Sequence, residues 1–367
     1  MSRNQEIKHQ SELQIALNGF KRNKIAVGCL ILLSVLYLSA IFADFISPYS
    51  YDNEDRNYSY CPPTLLSIKH DGKFVYPYIS GRELTFNDYR QRIYKIDQTK
   101  RYPIKFMVKG DKYKLLGFIK CRYHLFGVDA PGRIYLFGAD SRGRDIFSRT
   151  MYGGRVSLSI GLIGVLISFG LGLLVGGISG YYGGRIDNFI MRLCEMFMMI
   201  PGFYLLLALR AAVPDNFNSV QVYFAIILIL SFIGWASLAR IIRGMALTLR
   251  EREYVLAAKG FGLSDFNIIV RHVLPHTLSY SIFAVMLSIP GYILGESALS
   301  LIGLGIQDPF ASWGNLLSDA MSIIKIKFAP WILFPAIFIF LTVICFNVIG
   351  EALRDCLDPM MKQERKR

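Results

Sequence analysis

Six stretches of predominantly apolar residues, nearly free of charge, constrain this chain more than any other feature. A helix needs about 20 such residues to cross the hydrocarbon core of a bilayer, and runs of that length fall at 25–46, 157–179, 188–210, 221–243, 274–296 and 331–352. The first run follows Lys21, Arg22 and Lys24 and ends at Ser47-Pro48. It is too long for the apolar part of a signal peptide and no small-residue cleavage site follows it, so it is expected to stay as an anchor.

Composition agrees: 53% of the residues are hydrophobic and only 19% are charged. The formal net charge of +14 invites a nucleic-acid reading. The distribution of the charge argues against it. Residues 47–155 hold 20 basic and 11 acidic groups between two apolar runs, and the remaining cations cluster at the ends of runs, where the positive-inside rule accounts for them. Nucleic acid is therefore not an expected partner, whereas membrane lipid is.

Short basic segments set the expected orientation. The arm 1–24 carries Arg3, Lys8, Lys21, Arg22 and Lys24, the connection 244–273 carries Arg250, Arg252, Lys259 and Arg271, and the tail 355–367 carries Lys362, Arg365, Lys366 and Arg367. With six spans these three segments share one side, so both termini are expected in the cytoplasm and the 47–155 segment outside. That outer segment reads as β-rich. Asp71-Gly72 between apolar stretches signals a type I′ hairpin, and Ile104, Phe106 and Val108 alternate up to Gly110-Asp111, where a second hairpin is expected to turn toward Tyr113 and Leu115. Cys61 and Cys121 are the two cysteines expected outside the membrane, where an oxidising compartment would permit a bridge. Cys29, Cys194 and Cys345 fall inside spans and read as small apolar packers.

Within the transmembrane core 156–354, the second span carries Gly172-x-x-x-Gly176 and Gly176-x-x-x-Gly180, a spacing that lets helix backbones approach closely. Arg192 and Glu195 share a face of the third span, either as a structural ion pair or as functional intramembrane charges. Glu296, after a break expected at Pro290-Gly291, reads equally as a gate or as an interfacial residue. There is no His-Glu-x-x-His pair, Gly-x-Ser-x-Gly elbow or phosphate-cradling Gly-x-x-x-x-Gly-Lys-Ser/Thr loop. No catalytic residue or metal ligand is expected, and any chemical energy would have to come from another chain.

The stretch GMALTLREREYVLAAKGFGLSDFNIIVRHVLPH at 244–276 is the most informative. Tyr254, Ala257 and Ala258 share a helical face, Gly262 and Ser264 form a stop and a new cap, and Phe266, Ile269 and Val270 begin a second apolar face. A short helix with small residues suits docking into another protein's groove. An interfacial amphipathic helix would carry more bulk on one face.

This loop resembles the EAA motif of bacterial ABC-importer membrane subunits: Glu-Ala-Ala, three residues, Gly, nine residues, Ile, one residue, Leu-Pro. Ala257, Ala258, Gly262, Leu274 and Pro275 match, while Leu256 stands for the Glu and His272 for the Ile. Glu253, one turn earlier, could replace the missing carboxylate. NGFKRNKIAVGCLILLSVLYLSAIFADFISPYS and FGADSRGRDIFSRTMYGGRVSLSIG are similar to the C-type subunit of oligopeptide, dipeptide and nickel importers, as are GYYGGRIDNFIMRLCEMFMMIPG, ESALSLIGLG, WGNLLSDA and IGEALRDCLDP. The resemblance implies an all-α polytopic protein with six transmembrane helices of the type I importer kind and a β-rich insert between the first two. It implies a peptide permease subunit in the bacterial inner membrane, working by alternating access. The implied partners are a homologous B-type subunit, two ATPases that bind ATP and Mg, and an extracytoplasmic binding protein. Glu253, Tyr254, Ala257, Ala258 and Gly262 are the expected ATPase-docking residues. An ATP-independent channel or secondary carrier is the rival reading. It would make Arg192, Glu195 and Glu296 the residues of interest.

Overall fold

The computed structural model describes residues 19–70, 73–88, 92–115, 117–214 and 216–357. The charged arm and tail largely lie outside these residues, as does the Asp71-Gly72 turn. Among the described residues, α1 (Lys24–Ile41) is capped by Asn23 and followed at Phe42 by the short α2 (Ala43–Ile46). Five strands come next: β1 (Ser67–His70), β2 (Lys73–Phe86), β3 (Arg92–Pro103), β4 (Lys105–Leu115) and β5 (Ile119–Gly127). The helices resume with α3 (Ile146–Tyr182), α4 (Gly184–Met199), α5 (Gly202–Ala211) and α6 (Ser219–Leu249). Then come α7 (Glu253–Gly260), α8 (Asp265–Ile268), α9 (Leu274–Leu301), α10 (Trp313–Leu316), α11 (Ile323–Phe328) and α12 (Phe334–Leu357).

Among the described residues, five helical segments are long and apolar enough to cross a membrane, or six if the bent pair α4–α5 is one span. That pair corrects the expected third span: the axis turns by 89° at Ile200-Pro201. The residue before a proline is pushed out of the helical region, and Ile200 is indeed extended, with ψ 124°. The expected break at Pro290-Gly291 is absent, and α9 runs through Pro290. The second span begins at Ile146 rather than 157, and the fourth runs to Leu249 rather than 243. These helices therefore extend past their apolar centres.

The glycine ridge explains the tightest packing. Gly172, Gly176 and Gly180 of α3 lie against α6, where a Cβ would collide with the Leu238 side chain, the Ala239 carbonyl oxygen and the Arg243 carbonyl oxygen respectively. Where two backbones come this close, buried hydroxyls can bridge them. Ser168 Oγ donates to the Ser231 carbonyl at 2.7 Å, and Ser231 Oγ donates back to the Gly164 carbonyl at 3.0 Å. The tight interface expected from the four-residue spacing is present.

The 47–155 segment forms a three-stranded antiparallel sheet, β1-β2-β3, and a separate hairpin, β4-β5. His70 pairs with Lys73, so a two-residue connection joins β1 to β2 as the sequence predicts. The second hairpin does not turn at Gly110-Asp111. Instead β4 continues to Leu115, and the Lys109–Tyr113 stretch forms a register irregularity where a Cβ at Gly110 would strike the His124 ring. Ile79, Ile104 and Ile134 form the core shared by the two sheets. The possible Cys61–Cys121 bridge is not formed, and both thiols are free. Cys61 is buried against Tyr135 and accepts a hydrogen bond from Arg82 Nη1 at 2.9 Å, whereas Cys121 lies on the other sheet, paired with Tyr113.

Replacing Gly176 with Leu should overpack the α3–α6 contact by about 1–3 kcal/mol. Its thermal unfolding midpoint in detergent should fall below that of Gly170→Leu, where a Cβ meets nothing within 4 Å. Equal midpoints would remove the ridge as the determinant of this packing.

Candidate functional site

The 244–276 connection folds into a platform tied to the ends of three long helices. Leu249 ends α6, α7 starts at Glu253, and Gly262 makes the turn with a φ of +77°, which favours glycine. Beneath the platform, Val255 and Ala258 of α7 pack with Ala246, Ile268 and Val273, with Tyr181 and Leu249 alongside. Tyr181 Oη, at the end of α3, donates to Asp265 Oδ1 at 2.8 Å. Nearby, Asp187 accepts from Arg243 Nε at 2.8 Å and from Ser179 Oγ at 2.7 Å, pinning α4 to α6 and α3. The Tyr254 and His276 rings lie 5.0 Å apart, joining α7 to the start of α9.

The expected docking residues divide by burial. Glu253, Tyr254 and Ala257 face out, Gly262 is in the exposed turn, and Ala258 points inward as a packing residue. Of the second apolar face expected at Phe266, Ile269 and Val270, only Ile269 is buried, together with its neighbour Ile268, and Phe266 is left exposed. Its position joins a surface that the residue pattern did not single out. Phe261 is 88% exposed, Phe266 63% and Leu256 56%. Large apolar groups standing on a charged loop were the available signal, and Leu256 had registered only as a departure from a motif.

The intramembrane candidates resolve differently. Arg192 Nη1 and Glu195 Oε2 are 2.8 Å apart, with side chains 82% and 46% exposed, so they form an ion pair on the outer surface of α4. Glu296 lies inside the bundle rather than at its surface. It is fully buried and accepts from Ser157 Oγ of α3 at 2.8 Å and Ser300 Oγ of α9 at 2.7 Å. Those two hydroxyls in turn accept from the Trp313 and Ile306 backbone N–H groups, both at 3.1 Å, so the knot holds α10 and its approach loop onto the bundle.

A second polar cluster closes the same end. Arg144 Nε lies 2.7 Å from Asp140 Oδ2, and Asp308 Oδ1 lies 2.9 Å from Arg144 Nη1 and 2.8 Å from Arg149 Nη2. Burial pulls Asp308 up, but Arg144 and Arg149 outweigh it and hold its carboxyl below the usual value. Asp145, the N-cap of α3, accepts from the Ser148 N–H at 2.8 Å, and its other oxygen has no partner. Burial pushes its carboxyl up from 3.8 to about 7.

Helices of this length and apolarity, closed at one end by buried ionic knots and bearing an exposed platform at the other, define a polytopic helical membrane permease. Residues 172–363 match the family described as "Binding-protein-dependent transport system inner membrane component", and residues 11–63 match "N-terminal TM domain of oligopeptide transport permease C". The chain is 33% identical to the oligopeptide transport system permease protein OppC of Haemophilus influenzae, across 96% of this chain and 90% of that protein. It is 41% identical to the dipeptide transport system permease protein DppC of Bacillus subtilis over 52% of this chain, and it spans only 58% of that relative's length. Among solved structures, it is similar to an amino acid ABC transporter with a TM-score of 0.40 and 16% identity, over 59% of this chain and 94% of that one. The chain belongs to the binding-protein-dependent transport system inner membrane components, among the permease C proteins of oligopeptide and dipeptide systems.

The Asp145 carboxyl makes this end of the bundle pH-sensitive. Its folded value lies above that of the unfolded chain, so between about pH 4 and 7 the folded state holds the extra proton. Its contribution to stability is complete below the unfolded value and is lost as pH rises through about 7. Asp145→Asn keeps a cap acceptor without the charge. Its thermal midpoint relative to the natural chain should rise from pH 5 to pH 8, and a difference independent of pH would overturn the assignment.

Proposed function

We propose that this chain is a membrane-spanning permease subunit of an ATP-driven importer, moving peptides across the bacterial inner membrane by alternating access. The observation that carries the reading is the 253–266 platform, whose exposed Tyr254, Ala257, Phe261 and Phe266 stand on a packed base joined to α3, α6 and α9. A surface of this kind can take the push of a partner and pass it to long helices. The partners in this reading are two ATPases, which bind ATP and Mg and hydrolyse the nucleotide, a homologous B-type permease subunit, and an extracytoplasmic binding protein. Both termini and the platform lie on the cytoplasmic side, and this chain holds no nucleotide itself. Relatives named as oligopeptide and dipeptide permeases support the choice of solute.

The motion follows from stiffness. At 1.5 Å per residue, the 37 residues of α3 span about 55 Å, well beyond the roughly 30 Å of hydrocarbon. When the ATPases close, they draw the platforms of the two permease subunits together, and α3, α6 and α9 tilt as levers that open the opposite side. Release after hydrolysis reverses the tilt. The exposed Arg192–Glu195 pair supports a second membrane subunit, because a charged pair facing lipid is costly and one facing a protein or a wet path is not.

Ala257→Trp and Phe261→Asp should each lower peptide uptake, and uncouple ATP hydrolysis from the binding protein, by about tenfold or more, the worth of an anchor of about 2 kcal/mol at an interface. Membrane insertion and co-purification of the homologous permease subunit should persist. Solute flux through the purified chain alone, without ATP, would replace this reading with the channel or carrier.

A further inference from the structure

The β4–β5 hairpin carries a charge pattern that the import reading leaves unused. Residues 105–127 contain Lys105, Lys109, Lys112, Lys114, Lys120 and Arg122 against the single acid Asp111. Lys105 pairs with Asp129 outside the hairpin, but among the described residues no carboxylate lies within ion-pair reach of Lys112, Lys114, Lys120 or Arg122. Lys114 and Lys120 are directly opposed across the strands. Like charges at that spacing destabilise a hairpin unless an anion lies between or beside them. Beyond them the tip ends in exposed apolar side chains, with Phe118 73% and Ile119 47% exposed.

The packing order shows which way the tip points. At the base, Ile104 and Phe126 pack in the cluster that includes Tyr49. Midway along, the ring nitrogens of the buried His124 lie 2.7 Å from the Ser47 carbonyl oxygen and 3.2 Å from that of Asp111. Both strands of the hairpin also contact α2, the four residues that precede Ser47. From its base the hairpin thus meets Tyr49, then Ser47 and α2, running back along the chain that leaves the end of α1 at Ile41. Continued in that direction, the Phe118–Ile119 tip would return to the level where the span leaves the bilayer.

We infer that the β4–β5 hairpin is a membrane-interface anchor, its Phe118–Ile119 tip set among the acyl chains and its Lys112, Lys114, Lys120 and Arg122 bound to anionic phospholipid headgroups. Charge complementarity and continuity with the α1 span favour lipid over an acidic protein face. A basic ring above an apolar tip is the arrangement that partitions to such a surface. The strand residues 112–114 and 120–123 alone line an open groove of about 690 Å³, room for a headgroup beside the opposed lysines. The assignment rests on α1 crossing the bilayer and does not depend on import.

The full-length chain carrying the photo-reactive benzoylphenylalanine in place of Phe118, reconstituted in nanodiscs, tests it without ATP or substrate. Illumination should give phospholipid adducts by mass spectrometry, at least about fivefold more with phosphatidylglycerol than with phosphatidylcholine alone. Lys114→Glu combined with Lys120→Glu should remove that preference, and Lys114→Gln combined with Lys120→Gln should reduce it, with the thermal midpoint retained in both. Adducts only to protein, or lipid adducts equal in the two bilayers, would overturn the inference. Lipid adducts from a chain that fails to support peptide uptake would count against the import reading alone.

Discussion

Two buried arginines set the terms for the rest of the molecule. Arg149, 2% exposed, and Arg144 share Asp308, and Arg144 also holds Asp140. Charges taken out of water are tolerated only when their partners are in place, and removing one partner from such a pair costs about 3–5 kcal/mol. The three parts that supply those partners are therefore bound to one another: the approach to α3, α3 itself, and the loop after α9. Arg149 Nη1 adds a hydrogen bond to the Tyr51 carbonyl at 3.2 Å, which brings in the chain leaving α1. The Glu296 knot lies beside this cluster and repeats its logic with hydroxyls in place of guanidinium groups.

The consequence is a lever held at both ends. α3 carries Arg149 near its start and Tyr181 near its finish, one in the buried ionic cluster and the other bonded to the platform through Asp265. Between them the glycine ridge holds α3 on α6 with so little space that the two helices must move together. Arg155 fastens the first span to the same lever, donating to the Ala40 carbonyl at 2.7 Å and pairing with Asp44. A cation on the last carbonyls of α1 also meets the negative end of that helix.

Features with a short repeat in sequence were readable, and those that depend on distant partners were not. The Gly-x-x-x-Gly spacing announced a close helix pair because the period of a helix puts those residues on one face. The platform's helix and the turn after it were readable, since the small residues recur at helical spacing and Gly262 makes the turn that follows, although the helix itself is shorter than the 250–266 stretch. Ala258 was placed on the wrong side because an alanine pair is equally suited to a groove and to a core, and only Val273 and Ile268, well along the chain, settle which. Glu296 sat where hydropathy suggests an interface, but its three-dimensional neighbours are serines from α3 and α9. The bend at Ile200-Pro201 had a local signal, which a count of apolar residues passes over. Gly110-Asp111 carried the composition of a turn, yet the His124 ring, thirteen residues beyond Asp111, uses the missing Cβ instead.

Exposure has several meanings in a chain of this kind. Leu30, Ile31, Val35 and Leu38 are exposed on α1, and hydrocarbon satisfies them with no partner needed. Arg192 and Glu195 are exposed on α4, where hydrocarbon would be the wrong solvent, so their surroundings must be protein or water. Phe261 and Phe266 are exposed on a connection dense in Arg and Glu, where water is the wrong solvent for bare aromatic rings. The first surface asks only for lipid, whereas the other two are each mismatched to what a lone chain would offer them. The proposed assembly would resolve both mismatches at once, with a second membrane subunit against α4 and a soluble one against α7. The same chain standing alone would leave a charged pair in oil and two phenylalanines in water.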